Sequence, residues 1–239
     1  MPITLEIADR AGSPADLAAV WDYFAYVDQT FSTYKDSSEI SRLNRRALAL
    51  AEASPDVRAV YALAEQTRQE TGGYFDAQRL DGYDPTGVVK GWAIGNAGAL
   101  LRQRGFQNFY VEAGGDLQAA GLSPDGGPWQ VGIRSPFRPD EIIKVLSIRD
   151  AAVATSGTYV RGQHIYNPHG DGGPLTETVS LTVIGPNICD ADRFATAAFA
   201  MGRAGISFIE SLDAFEGYQI DPDGLAVMTS GFDQYVSHA

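Results

Sequence analysis

The chain has 239 residues, 44% of them hydrophobic and 20% charged, which is the composition of an ordinary globular protein long enough to bury a substantial core. Its formal net charge of −12 argues against a nucleic-acid backbone as the partner, since affinity for phosphate chains comes from clustered lysine and arginine. An acidic protein that binds a pyrophosphate also needs a local cation, and a divalent metal ion is the usual one.

We expect one domain, residues 1–239, without a membrane anchor. The chain contains no run of about 18 apolar residues that could span a bilayer. Its opening, MPITLEIADR, has neither the basic flank nor the apolar core of a signal peptide, and no cysteine that could carry a lipid lies near it. The single cysteine, Cys189, excludes an intramolecular disulfide and favours a reducing compartment, so we expect a cytoplasmic protein.

Helices are predicted mainly in the first half of the chain. Apolar residues recur with a helical period over 14–31 and over 55–72, and each of these stretches opens with a capping serine followed by a proline. A third helix is predicted from about Lys90 to Arg104. The alternative for the region before Lys90 is a long glycine-rich loop.

Strands are predicted mainly in the second half. The patterns favour strands at 109–112, 129–133, 143–148 and 179–184, and a hairpin over 217–229. Two further helices are expected near 190–212. Helices first and strands later predict an α+β fold rather than a regular alternation of strands and helices.

Five stretches combine glycine with polar residues that a core does not need. They are "FSTYKDSSEISRLN" at 31–44, "TGGYFDAQRLDGYDPTGVVKGWA" at 71–93, "VEAGGDLQAAG" at 111–121, "ATSGTYVRGQHIYNPHG" at 154–170 and "DADRFATAAFAMG" at 190–202. Each one also has a purely structural interpretation, such as a capped helix, a long loop, a hairpin turn or a structural histidine. No single stretch decides between a structural and a chemical role.

Two of the five stretches carry the clearest chemistry. Lys90 is predicted at the start of a helix, where free N–H groups favour an anion. Asp192 and Thr196 are four residues apart, so both oxygens lie on one face of an otherwise apolar helix. A buried carboxylate is costly unless it is paired or bound to a metal ion, and oxygen ligands suit Mg²⁺. The alternative is that Asp190 and Asp192 only cap the helix.

Taken together and in this order, the five stretches resemble the flavin transferase family, whose members are also called ApbE-like proteins or FAD:protein FMN transferases. The resemblance runs from about residue 31 to 202 and continues weakly to the C-terminal hairpin. It implies a mixed α+β fold, built around antiparallel sheet with flanking helices, in which a cleft holds FAD.

The resemblance implies an enzyme that uses Mg²⁺ and FAD. Many family members move the FMN part of FAD onto a threonine of a partner protein and release AMP, whereas others mainly hydrolyse FAD to FMN and AMP. Transfer is the leading hypothesis for this chain. An FAD pyrophosphatase and a flavin-binding protein that lacks catalysis are the alternatives.

The resemblance also assigns individual residues. It implies Mg²⁺ binding by the backbone carbonyl of Gly87 and the side chains of Asp192 and Thr196. It assigns catalysis to His164, Asp192 and Lys90. A threonine hydroxyl is a weak nucleophile that needs a base, and His164 or a nearby carboxylate could serve. The implied FAD contacts are Tyr34, Tyr74, Phe75, Asp76, Asp84, Lys90, Gly114, Gly115, Asp116 and His164.

Two features usual in the family are absent from this sequence. The opening MPITLEIADRAGSPADL lacks the Met-Gly-Thr element that contacts the flavin, and the signal and lipid-attachment cysteine of exported relatives are missing. We therefore expect a short form of the family.

Overall fold

The computed structural model describes residues 1–9, 13–79, 82–138, 140–158, 165–170 and 173–237. Its helices are α1 (Pro14–Phe31), α2 (Glu39–Asn44), α3 (Pro55–Glu70), α4 (Thr86–Gln103), α5 (Ile188–Ala200) and α6 (Gly205–Glu210). Its strands are β1 (Ile3–Ile7), β2 (Gln78–Arg79), β3 (Gly82–Tyr83), β4 (Phe109–Ala113), β5 (Asp116–Ala120), β6 (Trp129–Arg134), β7 (Ile142–Ile148), β8 (Ala152–Gly157), β9 (Ser180–Gly185), β10 (Glu216–Ile220) and β11 (Ala226–Met228). The predicted α+β class is confirmed.

The centre of the fold is a seven-stranded antiparallel sheet in the order β1-β4-β5-β8-β9-β10-β11. Strands β6 and β7 form a separate antiparallel hairpin, and β2 and β3 form a two-residue pair. Strands β4 and β5 join at Gly114 and Gly115, whose φ angles of 64° and 97° are readily adopted by glycine. The hairpin turn predicted for "AGGD" is therefore present.

The sheet is covered on both faces. Ala152 and Ala154 of β8 pack into an apolar cluster that also contains residues of α4 and α5, whereas Val153 packs into a cluster with the β6–β7 hairpin. This alternation is the two-residue period of a strand that is buried on both faces. No helix in the described ranges is long and apolar enough to cross a membrane.

The sequence patterns did not predict strands β1, β5 and β8. The sequences of the latter two, DLQAA and AVATSG, are rich in alanine and small polar residues, which have little intrinsic preference for strands. They are strands because sheet neighbours and packed layers on both faces bury them. Helix α4 also begins four residues before the predicted Lys90, at Thr86, whose N–H donates to Oδ1 of Asp84 at 3.0 Å.

Gln118 connects the sheet to α5. Its side chain, 4% exposed, lies on β5, and its Oε1 accepts a hydrogen bond of 2.9 Å from the backbone N–H of Ile188. This N–H lies in the first turn of α5, where the helix itself supplies no acceptor. The amide of Gln118 also donates to the carbonyl of Ala151 at 3.3 Å.

We predict that Gln118→Leu lowers the free energy of unfolding by about 1–3 kcal/mol, because a buried N–H of α5 loses its acceptor. Urea unfolding measured by circular dichroism tests this. Gln69→Leu is the matched control, because Gln69 is an exposed glutamine on α3, and its effect should stay within about 0.5 kcal/mol. Equal effects of the two changes would contradict the role given to Gln118.

Candidate active site

A cavity of about 1150 Å³ opens at one end of the central sheet. We call it the main cavity. Its walls come from the start of α4, the β4–β5 turn, strand β6, the end of β8, α5 and residues 165–166. A volume of this size is at the upper end of the range for small-molecule sites, so a large ligand fits.

The main cavity brings together eleven residues that the sequence assigned to the site. They are Tyr74, Phe75, Asp76, Asp84, Gly87, Lys90, Gly114, Gly115, Asp116, Asp192 and Thr196. Tyr34 lies outside this lining, and its side chain is 96% exposed. His164 lies outside the described residues, so its predicted role stays a prediction.

Asp192 is placed on the cavity wall by α5. Almost all of this helix is buried, and Asp192 itself is 2% exposed. Thr196, one turn further along, also lines the main cavity, as the four-residue spacing predicted. Asp190 does not cap the helix. Asn187 is the N-cap, because its side chain accepts from the N–H of Asp190.

Asp192 lies in a group of charges that we call the carboxylate–lysine cluster: Lys90, Asp116 and Asp192. Nζ of Lys90 pairs with Oδ2 of Asp116 and lies 3.2 Å from Oδ1 of Asp192. Backbone N–H groups complete the carboxylates' contacts, since Thr155 donates to Asp116 at 2.9 Å and Gly91 donates to Asp192 at 2.7 Å. Helices α4 and α5 and strand β5 thus each supply one charged side chain.

The cluster changes the interpretation of Lys90. The sequence placed this lysine at a helix start beside free N–H groups, but it lies in the second turn of α4 and its ammonium is already paired with two carboxylates. The first turn contains Gly87, whose missing side chain makes room for the ring of Phe75. A Cβ there would lie 2.7 Å from this ring. On either side of Gly87, the N–H of Thr86 donates to Asp84 at 3.0 Å and the N–H of Val88 donates to the carbonyl of Pro85 at 2.9 Å.

Burial and charge act in opposite directions in the cluster. Burial raises the pKa of Asp192 to about 7, while Lys90 and the N–H of Gly91 partly oppose this rise. Burial by itself disfavours the ammonium of Lys90, but Asp192 and Asp116 outweigh it, so the pKa of Lys90 is raised. The two carboxylates therefore favour the charged form of Lys90, whereas burial favours the neutral form of Asp192.

Two contacts attach the chain at 165–170 to the cavity wall. The hydroxyl of Tyr166 donates to the backbone carbonyl of Asp76 at 3.0 Å. The ring of His169 packs edge-on against Tyr74 with centroids 4.7 Å apart, and its Nε2 lies 2.9 Å from the carbonyl of Gly72. These contacts position residues 165–170 beside the "GYFD" motif.

Sequence reasoning missed Arg193. This arginine is 4% exposed and pairs with Glu70 of α3 and, at 2.6 Å, with Asp190. An arginine in an almost entirely apolar helix was the available signal. Its contacts hold α5 against α3 and so hold Asp192 in place.

Comparison with known proteins identifies the family of this chain. The sequence profile of the ApbE family matches residues 1–79 and 82–218, which is most of the chain. The chain belongs to the ApbE family. The resemblance that the five stretches indicated is thereby confirmed.

Two curated relatives illustrate the similarity to ApbE family members. The FAD:protein FMN transferase of Vibrio cholerae is 28% identical over 246 residues, which cover 90% of this chain and 72% of that protein. The enzyme of the same name from Escherichia coli strain K12 is 28% identical over 151 residues, which cover 59% of this chain and 43% of that protein. The region shared with the second relative is thus less than half of its length.

Solved ApbE structures share the fold. The flavin transferase ApbE from Vibrio cholerae superposes with a TM-score of 0.85 at 24% identity, covering 98% of this chain and 95% of that one. The ApbE protein from Thermotoga maritima gives a TM-score of 0.85 at 20% identity, with 99% and 95% covered. The α+β fold with its antiparallel sheet is therefore the ApbE fold.

Close packing of α4 on α5 sets the position of Asp192. A substitution at Gly91, where the two helices touch, tests this packing. A Cβ on Gly91 would lie 2.6 Å from the carbonyl oxygen of Ile188 and 2.7 Å from Cβ of Asp192. We predict that Gly91→Ala destabilises the protein by about 1–3 kcal/mol, because the helices must separate. Urea unfolding measures the change.

Gly95→Ala is the matched control, since it lies one turn later on α4 and its Cβ would meet only a side-chain carbon of Ile188, at 3.6 Å. Without a clash, this change should be neutral or stabilise the helix by up to about 1 kcal/mol. If both alanines were tolerated equally, close helix approach at Gly91 would not be what positions Asp192.

Proposed function

We propose that this protein transfers FMN from FAD to a threonine of an acceptor protein in an Mg²⁺-dependent reaction that releases AMP. The carboxylate–lysine cluster in the wall of the main cavity carries this proposal. Membership of the ApbE family supports it, as do the relatives named FAD:protein FMN transferase. The single cysteine further supports an acceptor that is met in the cytoplasm.

The charge of the cluster supports the need for a divalent metal ion. Two carboxylates face one ammonium, so the ionised cluster has one net negative charge beside the cavity. A pyrophosphate is itself anionic and would be repelled. A divalent cation between the two removes the repulsion, which is why an acidic site can take an anionic substrate.

The available donors fit Mg²⁺. They are oxygens: the carboxylate of Asp192, the hydroxyl of Thr196 and the backbone carbonyl of Gly87, all on the cavity wall. Among the described residues, no group of three or more histidine, cysteine, aspartate or glutamate side chains could hold a metal ion. The site would therefore use few carboxylates, as Mg²⁺ sites that share their ion with substrate phosphates do. When bound, Mg²⁺ would neutralise charge on the phosphate oxygens.

The reaction exchanges the phosphoanhydride bond of FAD for a phosphate ester bond to threonine. The Oγ of the acceptor threonine forms a bond to the phosphorus of the FMN part, the bond from that phosphorus to the oxygen bridging to AMP breaks, and AMP leaves with the electron pair. The hydroxyl proton passes to a base, for which His164 and the cluster carboxylates are the candidates. Lys90 holds both carboxylates in place.

The aromatic and polar lining supports binding of the rest of FAD. Tyr74, Phe75 and Asp76 come from the turn after α3, and Gly114 and Gly115 let the backbone approach a ligand closely. Asp84 caps α4 through Thr86 and pairs with Arg79, with Nε and Oδ2 3.4 Å apart. We retain these residues, and the exposed Tyr34, as proposed contacts of FAD.

Product analysis tests the proposal directly. We predict that the protein, incubated with FAD and MgCl₂ in a protein extract, yields AMP. It should also yield an acceptor band that carries covalently bound flavin and fluoresces on a denaturing gel. Omission of Mg²⁺, or its removal by EDTA, should abolish both products. AMP together with free FMN alone would mean that water is the acceptor and that the protein is a pyrophosphatase. No AMP under any of these conditions would contradict catalysis.

We predict that Asp192→Asn lowers the rate of AMP formation at least about 100-fold at fixed Mg²⁺, because the negative charge that holds the cation is lost. Asp190→Asn is the matched control. It makes the same change two residues away, on a carboxylate that pairs with Arg193, and its rate should stay within about threefold of wild type. If the Asp192→Asn variant had wild-type activity and circular dichroism showed that its fold was intact, Asp192 would not be a ligand of the metal ion.

A further inference from the structure

Strand β6 borders the main cavity along its whole length. All six of its residues, Trp129 to Arg134, belong to the cavity lining. One edge of β6 pairs with β7, and within the described ranges no strand pairs with the other edge. A strand whose consecutive residues all reach one cavity presents its edge, rather than one face, to that cavity.

The hydrogen-bonding groups on this free edge can be identified. The N–H of Ser237 donates to the carbonyl of Val145 at 2.8 Å, so the backbone groups of Val145 point away from β6. Val145 is paired with Gly132, and this is therefore a non-hydrogen-bonded pair of the antiparallel ladder. It follows that the N–H and C=O of Gly132 point to the free edge, as do those of Gln130 two residues earlier. Neither residue's backbone bonds to another described segment.

We propose that this edge of β6 binds an extended segment of the acceptor protein as an added β-strand. The inference rests on the proposed function, which requires a threonine from another polypeptide to reach the main cavity. The edge spans roughly 20 Å, and its free N–H and C=O groups repeat about every 7 Å. This repeat matches an extended polypeptide, and pairing of this kind is a known mode of peptide recognition.

Charge at one end of β6 gives the acceptor segment a direction. At this end, Trp129 packs edge-on against Tyr110 with centroids 5.1 Å apart, and Glu6 and Glu112 line the cavity beside it. A complementary segment has a basic residue at the Trp129 end of β6.

The first experiment removes one edge donor from the full chain. Gln130→Pro deletes an N–H that β7 does not use, whereas Gln130→Ala keeps this N–H and removes only the exposed side chain. The probe is a library of 12-residue peptides with one central threonine and random flanks, incubated with FAD and MgCl₂. We expect Gln130→Pro to raise the KM for peptide flavinylation about 10-fold or more, with peptide-independent formation of AMP and FMN unchanged. Gln130→Ala should behave as wild type.

The second experiment uses the wild-type protein and so does not depend on the folding of a variant. The best peptide from the library is resynthesised with N-methyl groups at successive positions. Pairing with β6 requires that flavinylation is lost at alternate positions, because only every second N–H of the peptide points to the edge. Hydrogen exchange at the amides of Gln130 and Gly132 should slow on peptide binding.

The outcomes separate this inference from the function on which it rests. Absence of AMP both with and without peptide would overturn the proposed function. β6 pairing would be overturned if N-methylation at every peptide position reduced flavinylation equally. It would also be overturned if Gln130→Pro and Gln130→Ala had the same effect. Both results would leave the transferase activity intact. Formation of AMP and FMN with no labelled peptide in the library, by protein that does label an acceptor in the extract, would also overturn β6 pairing, since short extended segments should suffice.

Discussion

The organisation of this protein depends on the burial of two carboxylates around one ammonium. Asp116 is 1% exposed and Asp192 is 2% exposed, and Lys90 is shared between them. Isolated buried carboxylates are costly, so each oxygen needs a partner. Three elements that are far apart in the sequence must therefore meet at one point, and the close approach of α4 and α5 at Gly91 makes this possible.

Stability alone does not explain this arrangement. Replacing a buried ion cluster with apolar residues of similar volume is often neutral or stabilising. The cluster moreover contains one more carboxylate than ammonium. A purely structural cluster would be expected to balance its charges. The cluster faces the main cavity, and under the proposed function its extra carboxylate is the group that a bound cation would pair with.

The sequence predicted which residues meet in one cavity better than it predicted some of the fold, and the reason is physical. Residues at a helical spacing, such as Asp192 and Thr196, lie on one face of a helix whatever packs around it. Strands β5 and β8 depend instead on layers packed on either side of them, which a local pattern of alanine does not reveal. The start of α4 was misplaced for a related reason, because Gly87 looked like a loop residue and is a helical glycine that makes room for Phe75.

The sequence also did not predict which residues pair with each other within the site. Lys90 was expected to meet an anion directly, yet it holds two carboxylates, because β5 brings Asp116 under the same helix turn. Gln118 and Arg193 hold α5 in place through Ile188 and Glu70, contacts that connect distant parts of the chain. Periodicity predicts which face of a helix is buried, but it does not predict which residues of other elements pack against that face.

The shape of the cavity follows from the end of the central sheet. Asp116 is directed towards α4, whereas Leu117, the next residue of β5, packs into the cluster beneath the β6–β7 hairpin. Both residues line the main cavity, which therefore extends around the end of the sheet from the helix side to the hairpin side. In-line displacement at phosphorus requires that the nucleophile enters on the side opposite to the one from which the leaving group departs. A cavity with charged helices on one side and an open strand edge on the other provides two such directions, so a polypeptide and a dinucleotide can meet there without competing for the same wall.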